Sequence, residues 1–100
     1  MKVVDHAPQH WFLLDDAGVL LLDANCSHGA VGYDFLIALT PEEIGEYRRQ
    51  GREYLGRLAT AIHDSVPIAA ATASAYRGRN LSATHGERVG AAIAAWRAGG

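Results

Sequence analysis

The stretch Asp23-Ala24-Asn25-Cys26-Ser27-His28 brings together the residue types most capable of chemistry in this chain. Cys26 is the one cysteine, it stands two residues before His28, and Asp23 and Asn25 are close enough in sequence to orient an imidazole. A thiolate held beside a histidine, with a third group fixing the ring, is the arrangement of a thiol-dependent enzyme. Such pairs usually come from distant positions in the chain, and neighbours on a strand or turn rarely reach the required geometry. The flanking residues also lack the glycine pattern of a nucleophile elbow. A small buried cysteine at a strand end, followed by a polar histidine, is the simpler expectation.

Metal binding is the second chemistry to weigh. His6, His10, Cys26 and His28 are all zinc-ligand types, and they would converge if the segments carrying them lay side by side. His6 and His10 have H-x3-H spacing, but Pro8 between them opposes a shared helical face, and C-x-H is not a usual zinc spacing. His63 and His85 fall at a helix end and a helix start, where solvent-facing positions are expected. Arg77-Gly78-Arg79-Asn80, with Tyr76 and the preceding arginines, could meet phosphate or nucleic acid. The set is small and Lys2 is the one lysine, so a loop pinned by arginine–carboxylate pairs is the better reading. No phosphate-cradling glycine loop and no carboxylate pair spaced for acid–base work is readable. The expectation is therefore no catalytic residue, no metal and no cofactor.

These residues need elements to hold them. His10 to Leu14 is aromatic and aliphatic, as strands prefer, and Val19 to Asp23 is a second such run. Asp15-Asp16-Ala17-Gly18 joins them with turn formers, predicting a hairpin with a short bulged loop. Val31 to Leu39 alternates, with Val31, Tyr33, Phe35, Ile37 and Leu39 on one face. Thr40-Pro41-Glu42-Glu43 carries a threonine cap, a proline at the first helical position and a glutamate able to close a capping box. From there Ile44, Tyr47, Gly51, Leu55, Leu58 and Ile62 recur every three or four residues, predicting one helix over 41–63 whose stripe covers the Tyr33/Phe35/Ile37 face. Gly51 on that stripe suggests close approach to the sheet beneath an aromatic ring. Residues 64–81 are alanine-rich and interrupted by Pro67, fitting a short helix or an irregular segment. Thr84-His85-Gly86-Glu87 offers a second capping box, starting a last helix to about Arg97 whose apolar face is Val89, Ala92, Ile93 and Trp96. Residues 98–100 should fray.

The fold expected is one α+β domain over residues 1–100: a three-stranded antiparallel meander packed by one long helix, with a C-terminal helix. One hundred residues suffice for a single core. A lone cysteine offers no intrachain disulfide, the N-terminal residues do not read as a signal peptide, and the apolar runs fall short of the ~20 residues that span a bilayer, so a cytoplasmic location is expected. The net charge of −2 divides unevenly. Residues 1–47 carry Lys2 against eight acids, and residues 48–100 carry eight arginines against three acids. That split suits two halves that neutralise each other on packing, or a surface built for a charged partner.

The run from Trp11 through Asp23-Asn25-Cys26, Gly32-Tyr33, Leu39-Thr40-Pro41-Glu42-Glu43, and Tyr47 with Gly51 resembles small bacterial immunity-like proteins paired with secreted polymorphic toxins. The resemblance covers roughly residues 11–62. It implies a cytoplasmic, non-catalytic protein-binding module that blocks a toxin. The partner expected is a protein, a cationic toxin or a second copy of the chain, rather than nucleic acid or membrane. Asp16, Asp23 and Asp34 are the expected partner-binding residues, on a sheet face left open by the long helix. A small metal-binding or thiol-dependent enzyme built on Cys26 and His28 is the alternative.

Overall fold

The computed structural model describes residues 1–28, 31–65, 74 and 76–99. Among these the chain forms one antiparallel sheet in the order β1 (Lys2–Ala7), β2 (Trp11–Asp16), β3 (Val19–His28), β4 (Val31–Ala38). It also forms helices α1 (Pro41–Gln50), α2 (Arg52–Asp64) and α3 (Ser82–Arg97), with one 3₁₀ turn at Arg77–Arg79. The class is the α+β expected from the sequence, with four strands in place of three.

The additional strand is β1. Its register with β2 slips between Val3 and Asp5, leaving Val4 bulged and 48% exposed. The slip places Val3 and His6 on the same sheet face despite their odd spacing, which erases the period-two signal. The β2–β3 connection is tighter than the bulged loop expected. Asp16 pairs with Val19, and the two loop residues Ala17 and Gly18 both have positive φ, at 53° and 92°, as a type I′ turn requires. The Gly18 N–H donates to Asp15 Oδ1 at 2.8 Å. β3 runs on to His28, so Cys26-Ser27-His28 is strand, and only residues 29–30, outside the described residues, remain for the connection.

Each sheet face has its own core. On one, Leu13, Leu22, Ala24, Cys26, Phe35 and Ile37 bury against Leu55, Leu58, Ala59 and Ile62 of α2, with Tyr33 partly buried beside them. This is the packing the helical stripe and the alternation after Val31 predict. On the other face, Leu14, Leu21 and Leu36 bury against Val89 of α3, with Phe12, Val3 and Ile93 packed around them. The second face is therefore not open, as the sequence reading had it: α3 lies on part of it.

The helices depart from expectation at their ends. Thr40 forms the full capping box: its hydroxyl accepts from the Glu43 N–H at 3.2 Å and its own N–H donates to Glu43 Oε1 at 2.9 Å. The single helix expected over 41–63 is broken at Gly51, whose φ of 75° and ψ of −158° lie in a region that essentially only glycine populates. A Cβ on Gly51 would meet nothing within 4 Å, so the residue is there for its backbone and not for close packing. The glycine beside aromatic rings is Gly56, next to His10 and Trp11. α3 starts at Ser82, two residues before the expected cap. The Asn80 side chain accepts from the Ser82 N–H at 2.9 Å, while Thr84 turns its hydroxyl to the Leu81 carbonyl. Most of the alanine-rich run 68–75 lies outside the described residues. No helix among those described is long and apolar enough to cross a membrane.

Candidate functional site

Part of the charge asymmetry of the sequence is neutralised by pairs within the molecule. Arg52 pairs with Asp5 at 3.6 Å, Arg88 with Asp16 at 3.0 Å, and Arg79 with Glu43 at 3.0 Å, each joining the acidic half to the basic half. Arg79 also donates to the Ala38 carbonyl at 2.8 Å. Arg79 thus pins the loop it stands on, as the sequence suggested. Burial pushes the Glu43 carboxyl upward, but hydrogen bonds from Arg79 and Thr40 outweigh it, and the group sits below its ordinary value.

The three aspartates expected to meet a partner end in different places. Asp16 is held by Arg88 at the hairpin end of the sheet. Asp34 is exposed on β4. Asp23 is 7% exposed and sits on β3 between Phe12 of β2 and Leu36 of β4. Asp34 lies one step further along the same face, opposite Asn25, so the two carboxylates are diagonal neighbours across β3 and β4. Burial between apolar neighbours, reinforced by the charge of Asp34, raises the pKa of Asp23 from 3.8 to about 7. Neither carboxylate has an ion pair among the described residues.

Above them α3 leaves a gap. A cleft of about 400 Å³ opens between the sheet and the last turns of α3, lined by Phe12, Asp23, Asn25 and Asp34 below and by Gly90, Ile93, Ala94 and Arg97 above. A second hollow of about 250 Å³ shares Asp23, Asp34, Gly90 and Ile93 with it and runs on toward Ser82. Two features keep the space open. Gly90 has no side chain, and a Cβ there would meet nothing within 4 Å. Among the described residues, α3 is hydrogen-bonded to β4 at its start, where the Leu81 N–H donates to the Leu36 carbonyl at 2.8 Å and Ser82 Oγ accepts from the Leu36 N–H at 3.3 Å, and Val89 further along the helix packs against Leu36. At its far end, Trp96 meets the rings of His6 and Phe12 edge-on, with centroids 4.4 and 5.7 Å away, and the Arg97 guanidinium lies 5.5 Å from the Phe12 centroid.

The residues suggested for thiol or metal chemistry are dispersed. Cys26 is fully buried on the α2 side of the sheet, and burial, only partly offset by a hydrogen bond with Tyr33, raises its thiol pKa. That opposes thiolate formation. His6 is on the opposite face against Phe12 and Trp96, and His10 lies 3.3 Å from the Thr60 hydroxyl. The His28 side chain lies outside the described residues. Among those described, no three His, Cys, Asp or Glu side chains gather to hold a metal ion. Phe12, Gly90, Ile93 and Arg97 were not singled out for the site by the sequence reading. The available signal was Asp23 itself, an acid in phase with Leu21 directly after the apolar run Val19 to Leu22.

No family model, curated protein or solved structure matches the chain.

Proposed function

We propose that this chain is a non-catalytic protein-binding module that neutralises a bacterial toxin in the cytoplasm by holding a cationic surface of that toxin against the Asp23–Asp34 end of its sheet. The observation that carries the reading is where two of the acids without an ion pair among the described residues stand: Asp23 and Asp34 are neighbours on one sheet face at an open cleft, whereas Asp5, Asp16, Glu43 and Glu46 each have an arginine. The exposed Asp34 carboxylate at that opening attracts and orients a positive partner, and Asp23 adds its charge once it is ionised. The resemblance over residues 11–62 supplies the toxin as the class of partner. The alternative thiol or metal enzyme draws no support from Cys26, which is buried on the other side of the sheet.

Co-expression with the product of the neighbouring open reading frame tests this. The tagged chain should recover a basic protein in one-to-one ratio and restore growth to cells making that protein. Unrelieved toxicity, or recovery of a second copy of the chain alone, would overturn the proposal.

A further inference from the structure

We infer that the cleft between α3 and the sheet is a pocket for a single lysine or arginine side chain of a partner protein, its cationic head seated on Asp23 and Asp34 and its stem along Phe12 and Ile93. The inference narrows the reading above from a cationic surface to one side chain, and it rests on that reading for the partner but not for the pocket's chemistry.

Two independent observations point to an occupant. The cleft is a formed space, kept open by Gly90 over a floor from three adjacent strands. Asp23, more than nine-tenths buried, faces it without a hydrogen-bond or ion-pair partner for its carboxyl among the described residues. A largely buried carboxyl without a protein donor relies on the water that still reaches it, and a seated cation would take that water's place.

The lining decides the class of cation. Calcium and magnesium need about six or more oxygens. The side chains of the floor offer two carboxylates and the Asn25 amide oxygen, fewer than that set. An ammonium or guanidinium brings three to five donors on an apolar stem, which suits two acids beside an aromatic ring and an aliphatic wall. The charged groups bordering the space are Asp23 on β3, Asp34 on β4, Arg97 on α3 and His10 just before β2. Arg97 stands over the Phe12 ring with no ion pair to Asp23, so it borders the site without filling it. Seating a cation stabilises the ionised form of Asp23, so its carboxyl should release its proton when the site fills.

Titration of the purified chain with the capped tripeptide acetyl-Gly-Arg-Gly-amide, followed by amide and carboxyl NMR, tests this without any toxin. Saturable shifts should appear at Phe12, Asn25, Gly90 and Ile93, and the Asp23 titration should move down by about one unit or more at saturation. Asp23→Asn and Asp34→Asn should each weaken binding by about tenfold or more. Gly90→Leu should block binding while both acids remain. Asp5→Asn, remote from the cleft, should leave binding unchanged. The carboxyl shift needs no variant, so it stands even where a substitution unfolds the protein.

n-Butylguanidinium alone distinguishes the source of the cation. If it binds while the tripeptide is excluded, the pocket takes a free small cation and the assignment to a protein side chain falls. Shifts scattered over all surface acids, or an unmoved Asp23, would overturn the pocket itself. Loss of the toxin in the co-expression experiment would leave these titrations as they are, and their failure with the toxin still bound would place its contact elsewhere.

Discussion

Asp23 owes its chemistry to its neighbours. Phe12 and Leu36 flank it across the sheet, and Ile93 and Gly90 line the hollow beside it, so its carboxyl is largely shielded from water. The folded chain keeps the proton up to about pH 7, while the unfolded chain releases it near 3.8. Between those values the folded state binds more protons, so stability falls as pH rises. The contribution is fully present below about pH 3.8 and is lost once pH passes about 7, a swing on the order of 4 kcal/mol at ~1.4 kcal/mol per unit. Asp23→Asn should flatten this slope. The variant should be more stable than the parent near pH 8 and close to it near pH 4, as read from urea midpoints. A parent slope retained in the variant would assign the titration to another group.

The elements show where sequence reading succeeds and where geometry intervenes. The Thr40 cap and the stripe through Leu55, Leu58 and Ile62 were readable because caps and helical period are local. Thr40→Ala should cost about 1 kcal/mol in chemical denaturation, because it strands the Glu43 N–H. β1 was not readable, since the bulge at Val4 puts Val3 and His6 in phase against their numbering. Nor was the break at Gly51, because its spacing continues the stripe and only its backbone angles betray the interruption. The two accounts of Gly51 predict opposite signs. In a continuous helix, Gly51→Ala would stabilise by about 1 kcal/mol. At φ 75° and ψ −158° it should destabilise by about 1–3 kcal/mol, measured by the same denaturation. The cleft was legible only in part. Asp23 and Asp34 could be named from their strand phase, but Gly90, Ile93 and Arg97 arrive from the far end of the chain, and nothing local in α3 announces which strand residues it will roof.

Across the whole molecule, the two charge blocks of the sequence pair in part with each other and leave Asp23 and Asp34 at a cleft on one end of the sheet. Asp16 and Asp34 were grouped in the sequence reading, but the fold separates them. Asp16 pairs with Val19 and Asp34 with Asn25, six residues apart along β3, or ~20 Å at strand rise. That is about two and a half Debye lengths at physiological salt, and Asp16 is further offset by Arg88. The three acids should therefore contribute differently to capture of a basic partner, as measured by stopped-flow association and dissociation. Asp34 is exposed at the cleft, so Asp34→Asn should slow association several-fold at low salt and flatten its salt dependence. Asp23 is buried and meets the cation only after docking, so Asp23→Asn should act mainly by speeding dissociation. Asp16→Asn should leave both rates nearly unchanged and lower stability slightly through loss of the Arg88 pair. If Asp16→Asn slows association as much as Asp34→Asn, the partner reads the field of the whole acidic half and not the cleft. Equal effects of Asp23→Asn and Asp34→Asn on the association rate alone would mean that no cation enters to reach the buried acid.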